Sequence, residues 1–128
     1  MERIRLTLTL PPSVNHCYRN VMRNGKISRA LSREASDWKL QASWYAKSVA
    51  KSEKWKCLPL GVKVVMELYA FWPDERKRDM SNLHKLLPDA LEGIIYENDR
   101  YVLVRDMDFT VDTKHPRVEI VVYPKEEA

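Results

Sequence analysis

Cysteine is scarce in this chain, because only Cys17 and Cys57 occur among its 128 residues. The two are isolated and form no CxxC pair, which excludes a zinc site of the usual cysteine spacing. We expect both to be free, packed thiols. Long apolar runs are also absent, since none approaches the roughly 20 residues that a bilayer-spanning helix needs.

Repeats, low-complexity tracts and linkers are lacking as well. The length of 128 residues fits one domain, which we predict to span residues 1–128. The apolar fraction of 45% and the charged fraction of 31% indicate a globular rather than a disordered chain. No apolar block of the signal-peptide kind opens the sequence, so we expect a cytoplasmic location and no membrane partner.

The charge is mildly positive, with a formal net charge of +4. An excess of this size is compatible with a polyanionic partner but does not demand one.

Apolar periodicity predicts the elements of the first half of the chain. Alternation over Glu2–Leu10 predicts a half-buried strand. The polar stretch Ser13–Ile27 has no periodicity and is expected to be a loop, of the kind that is disordered or functional. Ser32 is a candidate cap for a helix that runs to about Ser52.

The second half begins with another alternating strand, which starts at Val62 and ends before Pro73. Apolar residues at helical spacing then predict an amphipathic helix over Leu83–Ile94. Pro88 lies inside this pattern, so a kink or a split into two short helices is expected.

Two closing strands are predicted at Tyr101–Asp112 and Arg117–Tyr123, joined as a hairpin. The order strand, helix, strand, helix, strand, strand is typical of an α+β fold. We therefore predict a single small domain with two helices packed on a mixed β-sheet.

Candidate catalytic residues lie between Arg78 and Asp99. Asp79 and Asn82 sit at the mouth of the second helix, and Lys85 follows one turn later on the same face. If the loop after the second helix leads the chain back toward the start of that helix, Asp99 can approach Asp79. Two converging carboxylates suit Mg²⁺, and a nearby lysine can stabilise charge that develops on a phosphate.

Simpler interpretations of the same residues are open, and spacing alone favours them. Asp79 or Ser81 can cap the helix, which is a common use of these residue types. Lys85 and Asp89 can form a solvated surface pair of little energetic value. Asp99 can serve only the geometry of a turn.

The order of several short motifs resembles the RusA family of Holliday-junction endodeoxyribonucleases over nearly the whole chain. The front of the chain carries Leu10-Pro11-Pro12-Ser13-Val14-Asn15-His16, followed by Gly25-Lys26-Ile27-Ser28. The core carries Arg78-Asp79-Met80-Ser81-Asn82-Leu83-His84-Lys85, then Asp89-Ala90-Leu91-Glu92-Gly93, then Asn98-Asp99-Arg100. The front is similar to the family's opening strand, Pro-Pro-Ser turn and basic hairpin.

The resemblance implies a RusA-like homodimer that binds four-way DNA junctions and nicks two strands with Mg²⁺, or with Mn²⁺ as the alternative ion, and without a small-molecule cofactor. Asp79 matches the first aspartate of the family's Asp-x-Asp-Asn motif, and Asn82 and Lys85 match its asparagine and lysine. Asp99 matches the metal-binding aspartate of a later acidic pair. These four residues are therefore the implied catalytic set, with Asp79 and Asp99 as metal ligands.

Two positions depart from the family pattern, Ser81 and Asn98. Ser81 stands where the motif's second aspartate, a metal ligand, is expected. The Ser81 hydroxyl or a water can fill that place, or Asp89 or Glu97 can compensate. The alternative is a weakened or inactive family member that binds branched DNA without cutting it.

Basic residues on the predicted loop and in the turn before the second helix can form a surface for phosphates. They are Arg19, Arg23, Lys26, Arg29, Arg76, Lys77, Arg78 and Lys85. The four tryptophans are assigned to the core or to a dimer interface, namely Trp38, Trp44, Trp55 and Trp72.

Overall fold

The protein is seen here as a computed structural model that describes residues 2–13 and 18–126. Asn15, His16 and Cys17 lie outside the described residues. The elements are β1 (Ile4–Leu8), β2 (Tyr18–Arg23), β3 (Lys26–Leu31), α1 (Arg33–Ser52), β4 (Val64–Trp72), α2 (Leu86–Leu91), β5 (Val102–Val111) and β6 (Arg117–Pro124). Two short 3-10 helices span Met80–His84 and Asp99–Tyr101.

Four strands form a mixed sheet in the order β1-β6-β4-β5. β5 runs parallel to β4, whereas β6 is antiparallel to both of its neighbours. The strands β2 and β3 form a separate two-stranded sheet. The predicted α+β fold, with two helices and a mixed sheet, is confirmed.

The core lies on one face of the mixed sheet. Leu6, Ile120 and Leu68 are aligned across three strands, and each is at most 1% exposed. Their neighbours one residue along, such as Thr7 and Glu119, face the other side because side chains alternate along a strand. The core side chains pack with buried residues of α1 and α2.

Helix α1 begins where its capping residue predicts. The Ser32 hydroxyl accepts a hydrogen bond from the Ala35 backbone N–H at 3.1 Å. Ala35, Trp38, Ala42 and Ala46 follow at helical spacing and are buried. The helix has 20 residues, but no helix within residues 2–13 and 18–126 is long and apolar enough to cross a membrane.

The predicted second helix is split, as Pro88 suggested, although the break lies earlier. A 3-10 helix ends at His84, Lys85 forms the junction, and α2 begins at Leu86. Pro88 falls in the first turn of α2, where a backbone N–H has no helical partner. The proline is therefore accommodated without breaking α2.

The predicted hairpin of the last two strands is wrong. β5 pairs with β4, and β6 lies on the opposite side of β4, between β4 and β1. The connection therefore passes the end of β4, where the Asp112 N–H donates to the Trp72 carbonyl at 2.8 Å. Alternation identifies the faces of a strand but carries no information about which strand pairs with it.

The prediction of an irregular loop over Ser13–Ile27 is wrong for its described second half, because β2 and the first residues of β3 lie there and β3 continues to Leu31. Arg23 pairs with Lys26, and the two residues between them have positive φ, 50° at Asn24 and 74° at Gly25. These values are those of a two-residue type I′ turn, which Asn-Gly favours. The basic hairpin implied by the family resemblance is confirmed.

The tryptophans differ in exposure. Trp38 and Trp72 are each 8% exposed, and the Trp55 indole donates to the Ile95 carbonyl at 3.0 Å. Trp44 is 68% exposed on α1. The core assignment therefore fails for Trp44, which leaves only the interface assignment for this residue.

Candidate metal and nucleic-acid site

Three carboxylates converge where α2 and the second 3-10 helix meet. Asp89 lies on α2, Glu92 is its C-terminal cap, and Asp99 begins the 3-10 helix. One oxygen of each lies within 4.8 Å of the others. The backbone N–H of Asp99 also donates to Glu92 Oε1 at 3.2 Å. We call these three residues the acidic cluster.

A tight turn after α2 brings the chain back to form the acidic cluster. Gly93 has a φ of 79°, which favours glycine, and its N–H donates to the Tyr96 carbonyl at 2.7 Å. Tyr96 is 1% exposed, and its hydroxyl donates to the Pro88 carbonyl at 2.5 Å. Burial raises the pKa of Tyr96, and the carboxylates of the acidic cluster raise it further. Tyr96 thus joins the turn to α2 as a neutral phenol.

Lys39 of α1 pairs with the acidic cluster. Its Nζ lies 2.7 Å from Asp89 Oδ2, and both side chains are about one-third exposed, at 34% and 38%. Asp89 therefore pairs with Lys39 of α1 and not with Lys85, which was the expected partner on its own helix. Lys39 offsets part of the negative charge of the cluster.

Lys85 contacts the hairpin. Its Nζ lies 5.3 Å from the centre of the Tyr18 ring, and the Arg29 guanidinium carbon lies 4.8 Å from the same centre. Both distances are in the range of cation–π attraction. Tyr18 therefore connects the basic hairpin to the lysine of the predicted catalytic motif.

Asp79 and Ser81 are exposed, and neither belongs to the acidic cluster. Asp79 stands at the capping position of the first 3-10 helix, but its side chain accepts no capping hydrogen bond from the described backbone there. Its carbonyl accepts from the N–H of Asn82, which is half-buried. Of the predicted metal ligands, only Asp99 lies in the acidic cluster, so the roles of Asp79 and Ser81 stay predictions.

The acidic cluster fits a divalent cation in its chemistry. Mg²⁺ prefers carboxylate oxygens at about 2.1 Å, so that opposite ligand oxygens are about 4.2 Å apart. The three oxygens lie within 4.8 Å of one another, so the carboxylates would have to move closer together to share one such ion. Asp89 was considered from the sequence as a compensating acid, whereas Glu92 was missed. The spacing of three residues between Asp89 and Glu92, which puts both on one side of a helix, was the available signal.

The predicted phosphate-binding residues lie in two places. Arg19, Lys26 and Arg29 are exposed on the hairpin, and Arg23 ends β2. Arg76 and Lys77 are exposed in the turn after β4.

Arg78 is more constrained than the other basic residues of the turn after β4. Its Nη1 lies 2.7 Å from Asp74 Oδ1, and this hydrogen bond lowers the pKa of Asp74. The Arg78 guanidinium also lies 5.6 Å from the Trp72 ring. Arg78 therefore shares its charge with a carboxylate, whereas the hairpin cations have no acidic residue among their neighbours in sequence.

Comparison with known proteins gives one result that bears on the site. A search of curated proteins finds no match to the chain. A family model described as endodeoxyribonuclease RusA matches residues 9–123. This range includes the hairpin, the Asp79–Lys85 segment and the acidic cluster. The chain therefore belongs to the RusA family of endodeoxyribonucleases.

Proposed function

We propose that this protein is a divalent-cation-dependent endonuclease that hydrolyses phosphodiester bonds in four-way DNA junctions during recombination and repair. The observation that carries the proposal is the acidic cluster around Asp99 in a chain of this family. The hairpin, with its exposed Arg19, Lys26 and Arg29, supports a polyanionic substrate.

The residues divide between holding a cation and handling the phosphate. Asp99, Asp89 and Glu92 would hold Mg²⁺ or Mn²⁺, with Asp79 and Ser81 as further predicted ligands. A cation there supplies Lewis acidity toward water and the scissile phosphate. Lys85 stabilises negative charge on the phosphate, and Asn82 supports the same site by hydrogen bonding. Arg76, Lys77 and Arg78 extend the phosphate-binding surface of the hairpin.

We also propose that the protein acts as a homodimer of one domain per chain, residues 1–128. A four-way junction has near two-fold symmetry, and a two-fold dimer presents two equivalent sites to it. Paired nicks in opposed strands would then follow from the symmetry of the complex.

The test is cleavage of a synthetic four-way junction in Mg²⁺. Asp99→Asn should reduce cleavage by at least about 100-fold, since it removes a carboxylate that holds the cation. Glu97→Gln is the matched control, because Glu97 is exposed nearby but lies outside the acidic cluster. If the wild-type protein binds the junction but cuts nothing in Mg²⁺ or Mn²⁺, the nuclease assignment is wrong.

A second candidate function is structure-selective binding without cleavage. The observation that favours it is Ser81, at a place where the family motif has an aspartate ligand. Ser81→Asp distinguishes the two functions. A large rise in cleavage from a near-zero background would identify the native chain as a binding protein, whereas an active wild type that gains little would support the enzyme.

A further inference from the structure

The net positive charge of the sequence equals the charge of one element. The β2–β3 hairpin with its turn spans residues 18–31. It contains four basic residues, Arg19, Arg23, Lys26 and Arg29, and no acidic residue. The net charge of the whole chain is also +4. The remainder of the sequence is therefore neutral overall, and the hairpin carries the excess.

An exposed apolar pair lies next to the Arg23–Lys26 pair that flanks the turn of this hairpin. Met22 and Ile27 are direct cross-strand partners, one step before the Asn24–Gly25 turn. They are 68% and 71% exposed, and among the large hydrophobic residues of the described chain only Trp44, at 68%, is as exposed as Met22. Adjacent positions on a hairpin that project to the same face pack together. Met22 and Ile27 thus form an apolar knob, which we call the tip pair.

The positive charge around the tip pair determines which kind of partner can pack against it. A second copy of the same hairpin would bring four positive charges against four others, with no acidic residue in the segment to offset them. DNA offers the complementary arrangement, because its phosphates attract the cations while its base pairs expose flat apolar faces. In a continuous duplex those faces are stacked, whereas at a branch point the terminal pairs of the arms lack a continuous neighbour.

We propose that the tip pair packs against the exposed base pairs at the branch point, so that Met22 and Ile27 select branched DNA while the hairpin cations bind the adjacent phosphates. The inference rests on the proposed function. Apolar side chains of this kind are used by other DNA-binding proteins as wedges between base steps. Tyr18, at the base of the same hairpin, contacts Lys85, so docking of the tip would also locate the scissile strand relative to that lysine.

The experiment compares binding to a four-way junction and to a duplex of the same arm sequence, in EDTA so that nothing is cut. Met22→Thr/Ile27→Thr keeps a residue type suited to strands but removes most of the apolar surface. We expect the affinity for the junction to fall about tenfold or more and that for the duplex to change less than about twofold. Fluorescence of 2-aminopurine at the branch point should respond to the wild type and not to the variant.

Two controls accompany this comparison. Leu60→Thr changes a leucine outside the hairpin whose exposure, 63%, is similar to that of the tip pair, and it should leave both affinities unchanged. Met22→Leu/Ile27→Leu should retain selectivity, because the apolar surface is kept. Circular dichroism verifies that each variant is folded.

The outcomes separate the two proposals. A wild type that prefers the junction, with a threonine variant that keeps the same preference, overturns the role of the tip pair and leaves the proposed function intact. Equal losses on junction and duplex also overturn the selective role. A wild type that binds junction and duplex alike overturns both.

Discussion

Lys39 places a positive charge directly against a carboxylate of the acidic cluster, with Nζ 2.7 Å from Asp89 Oδ2. This pair is partly solvated, so its own contribution to stability is small, about 0–1 kcal/mol. Its larger effect is on the charge available to a cation. Without Lys39, the three carboxylates would face an incoming divalent ion with one less competing positive charge.

We therefore expect Lys39→Met to tighten Mn²⁺ binding by roughly twofold to fivefold, corresponding to the small energy of a partly exposed ion pair. Isothermal titration calorimetry of the wild type and the variant with Mn²⁺ measures the change in affinity. Lys47→Met, an exposed lysine on the same helix, should leave the affinity unchanged. Weaker Mn²⁺ binding by Lys39→Met would show instead that Lys39 orients Asp89 for the metal.

Tyr96 predicts a dependence of stability on alkaline pH. Its pKa is raised in the folded protein by burial and by the neighbouring carboxylates, so the native state retains a proton that the unfolded state loses above about pH 10. The contribution of Tyr96 is complete below that pH and decreases as the pH rises. The expected slope is about 1.4 kcal/mol per pH unit.

Denaturant unfolding between pH 9 and 11 tests this expectation for Tyr96. Tyr96→Phe should be less stable at neutral pH, because it loses the hydrogen bond to the Pro88 carbonyl. Its stability should nevertheless fall less steeply with pH than that of the wild type. Tyr45→Phe, a change at the 40% exposed Tyr45, should retain the wild-type slope. Equal slopes for all three proteins would contradict the prediction.

At the level of single residues, the sequence was informative where a motif could be matched. Motif matching selected Asp99, which lies in the acidic cluster, but it did not select Glu92 of the same cluster; the role assigned to Lys85 stays a prediction. The proximity of Glu92 to Asp99 depends on the positive φ of Gly93 and on the buried hydroxyl of Tyr96. Such a turn brings together residues whose separation along the chain gives no hint of contact.

Among the elements, the hairpin contacts the predicted catalytic motif through Tyr18, whose ring centre lies 5.3 Å from Lys85 Nζ. Loss of the aromatic ring should leave Lys85 less well positioned. We expect Tyr18→Leu to reduce kcat for junction cleavage by about threefold to tenfold, with a smaller change in KM. Tyr18→Phe should retain activity because the ring is preserved.

A double-mutant cycle with Lys85→Met shows whether Tyr18 acts through Lys85. In the Lys85→Met background, Tyr18→Leu should have little further effect on kcat. If Tyr18→Leu is equally harmful in both backgrounds, then Tyr18 supports only the structure of the hairpin base.

The elements themselves were largely predictable, because apolar periodicity and the Ser32 cap reflect local geometry. Strand pairing was not. Apolar and polar residues alternate along part of β5, as is typical of an antiparallel strand. β5 nevertheless pairs in parallel with β4, because the chain crosses over through α2 before β5 begins. Apolar periodicity does not indicate the β2–β3 hairpin, because its residues are largely polar. The family resemblance does imply it, and its Asn24–Gly25 turn is a strong local signal.

For the whole molecule, the exposure of Trp44 bears on the proposed homodimer. A tryptophan that is 68% exposed on α1 is a candidate anchor for an interface, where this residue type is enriched. We expect light scattering to give a dimer for the wild type and Trp44→Ala to weaken the dimer by about tenfold or more.

Leu60→Ala serves as the control for the dimer measurement, since Leu60 is 63% exposed outside the helices. A dimer of unchanged affinity in Trp44→Ala would exclude Trp44 from the interface. A monomeric wild type at micromolar concentration would contradict the homodimer itself.

The unequal distribution of charge makes the molecule an electric dipole. The hairpin carries an excess of +4 while the rest of the sequence is neutral, so the field of a polyanion exerts a torque as well as an attraction. The protein would tend to turn its hairpin toward DNA while the two are still separated, which would raise the share of collisions that begin in the productive orientation. Added salt, which shortens the reach of that field, would slow association and would also weaken the finished complex, because the hairpin cations bind phosphates.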